Sequence, residues 1–250
     1  DKLSKNAAEI GAVNTIEIKG EKLIGHNTDV FGFAQSFISL LKERKNALIL
    51  GNGGASKCVQ FVLKKNNLSG VNITIPFKEK VIPFLDKLSK NAAEIGAVNT
   101  IEIKGEKLIG HNTDFSGFAQ SFIPLLKERK NALILGNGGA SRCVQFVLKR
   151  NNIDFIVASR NSDFTLEEIT EETIQKHSII INATPLGMYP KTDGFPHLPY
   201  NAINSKHLVY DLVYNPEQST FLRKAKAKNA EIKNGKQMLF LQAEKSWKIW

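Results

Sequence analysis

A chain of 250 residues with 42% hydrophobic and 23% charged side chains can bury one large or two modest cores, and this composition excludes a disordered chain. The formal net charge of +10 is carried largely by lysines scattered among apolar positions, not by a dense basic tract with interleaved aromatics; that favours a solvated surface able to steer anionic small molecules and argues against a nucleic-acid partner. Two cysteines, Cys58 and Cys143, are too few for a disulfide framework or a metal site and point to a reducing, cytoplasmic compartment, while no apolar run approaches the roughly 18 residues of a membrane span, so neither a membrane partner nor a leader is expected.

The chain opens on Asp1 and not on Met, which reads as a truncation or an assembly boundary. Residues 1–68 return almost unchanged at 86–153, a period of 85 residues. Six pairs differ: Val30/Phe115, Phe31/Ser116, Ser39/Pro124, Lys57/Arg142, Lys65/Arg150 and Leu68/Ile153. Repeat architectures keep a pattern and vary the sequence, so identity this high argues a recent tandem duplication, a joined gene fragment or an artefact of assembly, and not a solenoid.

Within each copy, residues 12–18 and 22–25 (97–103 and 107–110) read as two strands around a Lys-Gly-Glu turn, which is a hairpin signal. Residues 32–43 and 117–128 carry helical spacing of Phe, Ile and Leu, and Pro124 should bend or shorten the second of these helices. Residues 71–75 form a short strand stopped by Pro76, and 78–93 read as an amphipathic helix with Pro83 in an early turn. Residues 47–50 as a strand, 55–65 as a crossover helix and 71–75 as the next parallel strand would make a βαβ unit at the front of the chain.

The centre of the sequence is residues 131–141, NALILGNGGAS. A continuous apolar run suits a parallel strand covered on both faces. Gly136, Asn137, Gly138 and Gly139 follow, and then a helix over 140–150, opened by Ala140. A turn without Cβ atoms lets the backbone approach a pyrophosphate, and the helix aims its N–H groups and positive dipole end at it. The plainer alternative is a tight strand-to-helix turn. Strands at 155–158, 178–183 and 208–212, helices at 165–175 and 219–229, a short strand at 231–233 and a closing helix over 237–250 complete an alternation that argues a doubly wound parallel sheet. None of the five histidines, His111 included, sits in a ligand-spaced pair, so no metal is expected.

Four segments, NITIPFKEK (72–80), GAVNT with HNTD (96–114), INATPLGM (181–188) and YDLVYNPEQSTFL followed by GKQMLFLQA (210–243), in this order and spacing, closely resemble the shikimate dehydrogenases. The resemblance spans residues 69–250 and, in part, 1–68. It implies an α/β protein with a Rossmann-type doubly wound NADP-binding domain at 117–235, a smaller α/β substrate domain at 69–116 and 236–250, and an irregular front end at 1–68. It also implies reversible reduction of 3-dehydroshikimate to shikimate with NADPH, by a monomer or homodimer. Lys78 matches the family's catalytic lysine and Asp114 its partner; a ketone reduced by hydride leaves an alkoxide that an ammonium can protonate, and the reverse reaction uses the same lysine as a base. Their plainer alternatives are a solvated lysine and a helix cap. Thr74, Asn99, Gln242 and Tyr214 match contacts to substrate hydroxyls. Asn182, Ala183, Thr184 and Met188 match the turn beside the nicotinamide, with Gly235 opening the last segment. Arg160, after Ser159, stands where an acidic residue would read an NAD ribose, and so suits a 2′-phosphate.

The family's opening segment, with a Ser-x-Ser that grips the substrate carboxylate, finds no match here, and weaker substrate binding is therefore expected. Gly51, Gly53 and Gly54 lack a following Rossmann half, so no second nucleotide site is expected, and Asp29 is not expected to be catalytic. An NADP-binding but inactive protein and an NAD-using quinate/shikimate paralogue are the alternatives at this point.

Overall fold

The computed structural model describes residues 2–41, 46–48, 69–74, 77–160 and 162–250, without side chains for 36–41 and 46–48. The chain divides into two compact units: Asp1–Glu94 with Val98–Asn112 and Ser246–Trp250, and Ile95–Ala97 with Thr113–Lys245.

In the first unit the duplicated sequence builds the same elements twice. In DKLSKNAAEIG the pair Lys2–Leu3 forms β1, Ser4 caps the six-residue helix α1 (Lys5–Ile10) by accepting from Ala7 N, and Gly11, at φ +66°, ends it. A side-chain oxygen that satisfies an orphan N–H at one end and a left-handed glycine at the other are enough to frame a helix of this length. Strands β2 (Thr15–Lys19) and β3 (Lys22–His26) pair antiparallel through a two-residue turn at Gly20, φ +65°, and β1 pairs parallel with β3. Helix α2 (Asp29–Leu41) follows.

Strand β4 (Asn46–Leu48) pairs parallel with β5 (Gly70–Asn72), with Ala47 beside Val71. This is the pairing expected of a βαβ unit at the front; the crossover segment 55–65 and the glycines at 51, 53 and 54 lie outside the described residues. The second copy then supplies β6 (Lys87–Leu88), helix α3 (Lys90–Ile95) and the hairpin of β7 (Thr100–Lys104) and β8 (Lys107–His111), with Gly105 at φ +62° in its turn. The sheet order is β4-β5-β7-β8-β6, and Val71, Ile73, Ala92, Val98 and Ile101 form its core.

The helix expected over 78–93 is not there. A turn at 78–81, a 3₁₀ turn at Ile82–Phe84 containing Pro83, and β6 take its place. Proline removes a donor, the Asp86 carboxylate accepts from Leu108 N at 2.6 Å, and Ser89 Oγ accepts from Ala92 N. The first two interrupt a helix and the third starts a new one at residue 90.

The second unit opens with α4 (Asp114–Phe122), which passes into a 3₁₀ turn at Ile123–Leu125 where Pro124 removes the next helical donor, as expected. Five parallel strands follow: β9 (Asn131–Leu135), β10 (Asp154–Ala158), β11 (Ile179–Asn182), β12 (Leu208–Asp211) and β13 (Glu231–Asn234), in the order β10-β9-β11-β12-β13. Helices α5 (Gly139–Arg150), α6 (Glu171–Lys176), α7 (Thr220–Lys226) and α8 (Lys236–Trp247) complete the order. Ala132, Ile134, Ile179, Ile181 and Leu208 belong to one buried cluster; Leu133, Leu135, Ile180 and Val209 belong to another. Alternate residues of each apolar run thus serve the two faces of one sheet, the doubly wound architecture that continuous hydrophobic strands require. The helix expected over 165–175 is confined to α6: Glu168 turns back to accept from Thr165 N and Oγ1, and Thr170, whose backbone is extended, caps the helix through Thr173 N.

Candidate active site

In the second unit the chain runs from β9 out to β10 on one side and returns to β11 on the other, so the sheet order reverses between β9 and β11. Ligands of open α/β sheets bind outside the carboxyl ends of the strands at such a point. Here Ala183 N donates to Leu135 O at 2.9 Å, and Gly136 lies so near the β11 turn that a β-carbon on it would stand 3.0 Å from Thr184 Cγ2 and 3.2 Å from Ala183 C. Gly136 has φ +101°, a conformation that L side chains rarely adopt.

Gly138 differs in kind. Its φ of −86° suits any residue, and a β-carbon on it would meet no atom within 4 Å. The protein itself therefore gives no reason for glycine at 138. Open space directly at the start of α5, which no side chain caps, is what a pyrophosphate approaching the helix N–H groups requires. Asn137 Oδ1 and Ser141 Oγ both lie near Gln145 Nε2, at 3.4 and 3.1 Å; Ala140 is half-buried and Ser141 buried.

Beyond β10, Ser159 N and Oγ lie 3.0 Å from Ser162 Oγ, and Ser162 Oγ donates to Phe164 O at 2.7 Å, which folds the loop tightly and leaves Arg160 exposed. An exposed guanidinium on such a loop can grip a phosphate with both edges.

The turn after β11 is organised by Asn182. Its Oδ1 accepts from Thr184 N at 3.1 Å and Thr184 Oγ1 at 2.6 Å, and its Nδ2 donates to Asp211 Oδ1 at 2.9 Å. Asp211 is fully buried and also accepts from Val213 N and Ser219 Oγ. Burial pushes its carboxyl up to about 6 against the pull of these three donors. Asp211 and Ser219 lie within the segment YDLVYNPEQSTFL, but the sequence assigns neither a role, although an aspartate closing the apolar strand LVYD is the pattern of a buried carboxylate. Tyr189 N donates to Asn215 O at 3.0 Å, tying the loop that carries Met188 to the one that carries Tyr214; both of those side chains are exposed. Gly235 donates to Val213 O and abuts the Leu212 carbonyl, a fit that a β-carbon would break whatever the ligand.

Asp114, buried, is the first residue of α4, with Thr113 at the cap. Thr113 Oγ1 lies 3.4 Å from Gln242 Oε1, and Gly117 is close enough to α8 that a β-carbon would stand 2.5 Å from Met238 O. The second unit thus brings the helices of Asp114 and Gln242 together.

In the first unit, Ile73 N donates to Asn99 O at 2.7 Å and Val98 N donates to Lys78 O at 2.7 Å. These two bonds put Thr74, Lys78 and Asn99 on adjoining backbone. Asn99 is buried, and Thr100 Oγ1 donates to its Oδ1 at 3.2 Å; Thr74 and Lys78 are half-buried. His111 Nε2 lies 3.1 Å from Glu102 Oε2, and among the described residues no group of His, Cys, Asp and Glu could hold a metal ion.

Comparison with known proteins bears on the same residues. Residues 50–101 match the family model described as shikimate dehydrogenase substrate binding domain. A protein of Desulforamulus reducens named shikimate dehydrogenase (NADP(+)) is 36% identical over 74% of this chain and 72% of its own. Among solved structures, shikimate dehydrogenase from Aquifex aeolicus gives a TM-score of 0.72 at 34% identity over 80% of this chain and 78% of that one. Shikimate 5-dehydrogenase from Thermus thermophilus in complex with NADP(H) and shikimate gives 0.67 at 29% identity over 82% and 92%. At 36% identity over 74% of this chain and 72% of the relative, this chain belongs to the shikimate dehydrogenase family.

Proposed function

We propose that the chain is an NADP-dependent oxidoreductase acting on a CH–OH group, interconverting shikimate and 3-dehydroshikimate. The observation that carries the reading is Gly138: a glycine without a structural need for it, at the start of an uncapped helix and on the reversal point of a parallel sheet. A pyrophosphate fits that gap, held by the backbone of residues 136–140 and the α5 dipole, with Ser159 and Arg160 toward a 2′-phosphate and Asn182, Ala183, Thr184 and Met188 toward the nicotinamide. The nicotinamide, when bound, supplies or removes the hydride.

The chain's own residues handle the proton. Lys78 protonates the developing alkoxide in reduction and withdraws the hydroxyl proton in oxidation, with Asp114 as the acidic residue of the same step. Thr74, Asn99, Tyr214 and Gln242 bind the substrate hydroxyls. Residues 69–116 and 236–250 form the substrate part and 117–235 the NADP part. The setting proposed is a reducing, cytoplasmic one.

Steady-state oxidation of shikimate, followed by NADPH absorbance, tests the proposal. Turnover with NADP is expected; Lys78→Met and Asp114→Asn are each expected to lower kcat by about 10²–10⁴-fold while NADP still binds. Absent turnover, or an undiminished rate in Lys78→Met, would overturn it.

A further inference from the structure

The geometry points to Asp211 as a positioning residue that sets the loop at 183–188 opposite the glycine turn, a role that rests on the NADP reading above. Asp211 is fully buried, so it touches neither substrate nor cofactor and acts only through its neighbours. Both carboxylate oxygens are engaged: Oδ1 accepts from Asn182 Nδ2 at 2.9 Å and Val213 N at 3.0 Å, and Oδ2 accepts from Ser219 Oγ.

From there a continuous chain of bonds leads to the loop. Asn182 Oδ1 accepts from Thr184 N and Oγ1, and Leu186 N donates to Thr184 Oγ1 at 3.2 Å. Thr184 Cγ2 is the atom nearest to where a Gly136 β-carbon would stand. One end of the chain is therefore a buried carboxylate and the other is the wall of the proposed cofactor site. The opposite arm is anchored too, since Ser219 Oγ accepts from Leu222 N as the N-cap of α7 while donating to Asp211. Among the described residues the Tyr200 phenol feels the Asp211 charge; it donates to Pro196 O, and its ionisation is opposed by burial first and by that charge second.

An acceptor-only carboxylate matches three donors at once, and an asparagine keeps the oxygen that serves Asn182 and Val213 whereas a leucine keeps none. If Asp211 positions the loop, losing it displaces the nicotinamide side and, of the proposed substrate contacts, bears only on Tyr214, which follows Val213. A misplacement of this kind costs about 10- to 100-fold in the chemical step.

The experiment measures kcat and KM for shikimate, NADP Kd by calorimetry, and the melting temperature in the full chain, for the wild type, Asp211→Leu, Asp211→Asn and Thr184→Val. The expected result is a kcat about 10- to 100-fold lower in Asp211→Leu with shikimate KM within about twofold, and recovery of most of that loss in Asp211→Asn. Thr184→Val, which cuts the bond chain at its outer end and keeps the methyl group, is expected to lower kcat about tenfold and keeps the test open should Asp211→Leu fail to fold. An unchanged kcat in Asp211→Leu or Thr184→Val, or an asparagine no better than leucine, would overturn the inference. A wild-type chain without turnover would overturn the functional reading instead; the same variants are then judged by NADP Kd, and a Kd in Asp211→Leu equal to that of the wild type would overturn the positioning role.

Discussion

Replacing Gly138 by alanine separates what the fold needs from what the ligand needs. The residue caps α5 with φ −86° and ψ −174°, and a β-carbon there would meet nothing within 4 Å. Restricting the unfolded chain should stabilise the protein by about 0.4–1 kcal/mol, and alanine's poor fit to an N-cap should cost a few tenths or more. These effects nearly cancel, so the melting temperature should move by no more than a few degrees. Binding should change far more. The added carbon occupies the space through which a pyrophosphate reaches the first N–H groups of α5, and one charge-assisted hydrogen bond is worth about 1.5–3 kcal/mol, or roughly 10- to 150-fold in Kd. Gly136→Ala is the control: at φ +101°, with Ala183 C only 3.2 Å from the new carbon, it should cost about 1–3 kcal/mol of stability. Calorimetric titration of NADP with a thermal melt of each variant checks both. A Gly138→Ala protein that melts like the wild type and binds NADP within twofold of it would refute the reasoning.

Ser121→Ala should destabilise more than Tyr210→Phe, by thermal or urea unfolding. The first strands the fully buried Tyr210 hydroxyl, whose partner at 2.7 Å is Ser121 Oγ, at about 1–3 kcal/mol; the second leaves Ser121 Oγ still donating to Gly117 O at 2.8 Å and should cost about 0.5–1.5 kcal/mol. Pro124→Ser should lengthen α4 by about one turn, visible as added amide protection after Phe122, because Ser39 at the matching place of the first copy lies within a helix of 13 residues where α4 has 9. Asp211 should impose a pH dependence on stability. Its carboxyl is raised from 3.8 to about 6 in the folded chain, so the folded state binds the extra proton between these values; this contribution is largest below about pH 4, falls by about 3 kcal/mol as pH rises to 6 and is flat above, and in Asp211→Asn the wild-type-minus-variant difference in unfolding free energy should carry that slope.

The sequence made the nucleotide-binding half legible because its signals are local and strong. A short apolar run with no polar alternation that ends in a glycine cluster suits a strand covered on both faces followed by a turn. The two helices that failed, over 78–93 and 165–175, failed for different reasons: in one Pro83 removes a donor and Asp86 bonds Leu108 N across the hairpin, and in the other the chain is extended at Thr170, where a new cap starts the helix. Amphipathic spacing alone does not reveal such a bond. The Asp211 network escaped for a different reason. Asp211 and Ser219 are eight residues apart, but Asn182 lies 29 residues before Asp211 and becomes its neighbour only when β11 pairs with β12 in the register that sets the two side by side. A motif shows that such residues occur together; only the register shows that one carboxylate holds two loops.

The duplication separates what a segment decides for itself from what its partner decides. TIEIK occurs at Thr15–Lys19 and at Thr100–Lys104, and both copies form a strand, pair antiparallel with KLIGH and turn at a left-handed glycine. Turn geometry and alternation suffice for that, and neither depends on the rest of the chain. Yet Ile16 is 62% exposed and Ile101, in the same place, 4%. The difference follows from β5, which lays Val71 against Ile101 on the free edge of β7, while among the described residues β2 has β3 alone as its neighbour. At about 25 cal/mol per Å² of apolar surface, the same isoleucine contributes a fraction of its burial energy in one copy and nearly all of it in the other. Sequence identity therefore transfers secondary structure between the copies but not stability, and by the same logic not chemistry: Asp29 and Asp114 share their NTD, but only the second is preceded by the IPFK segment that would supply its lysine.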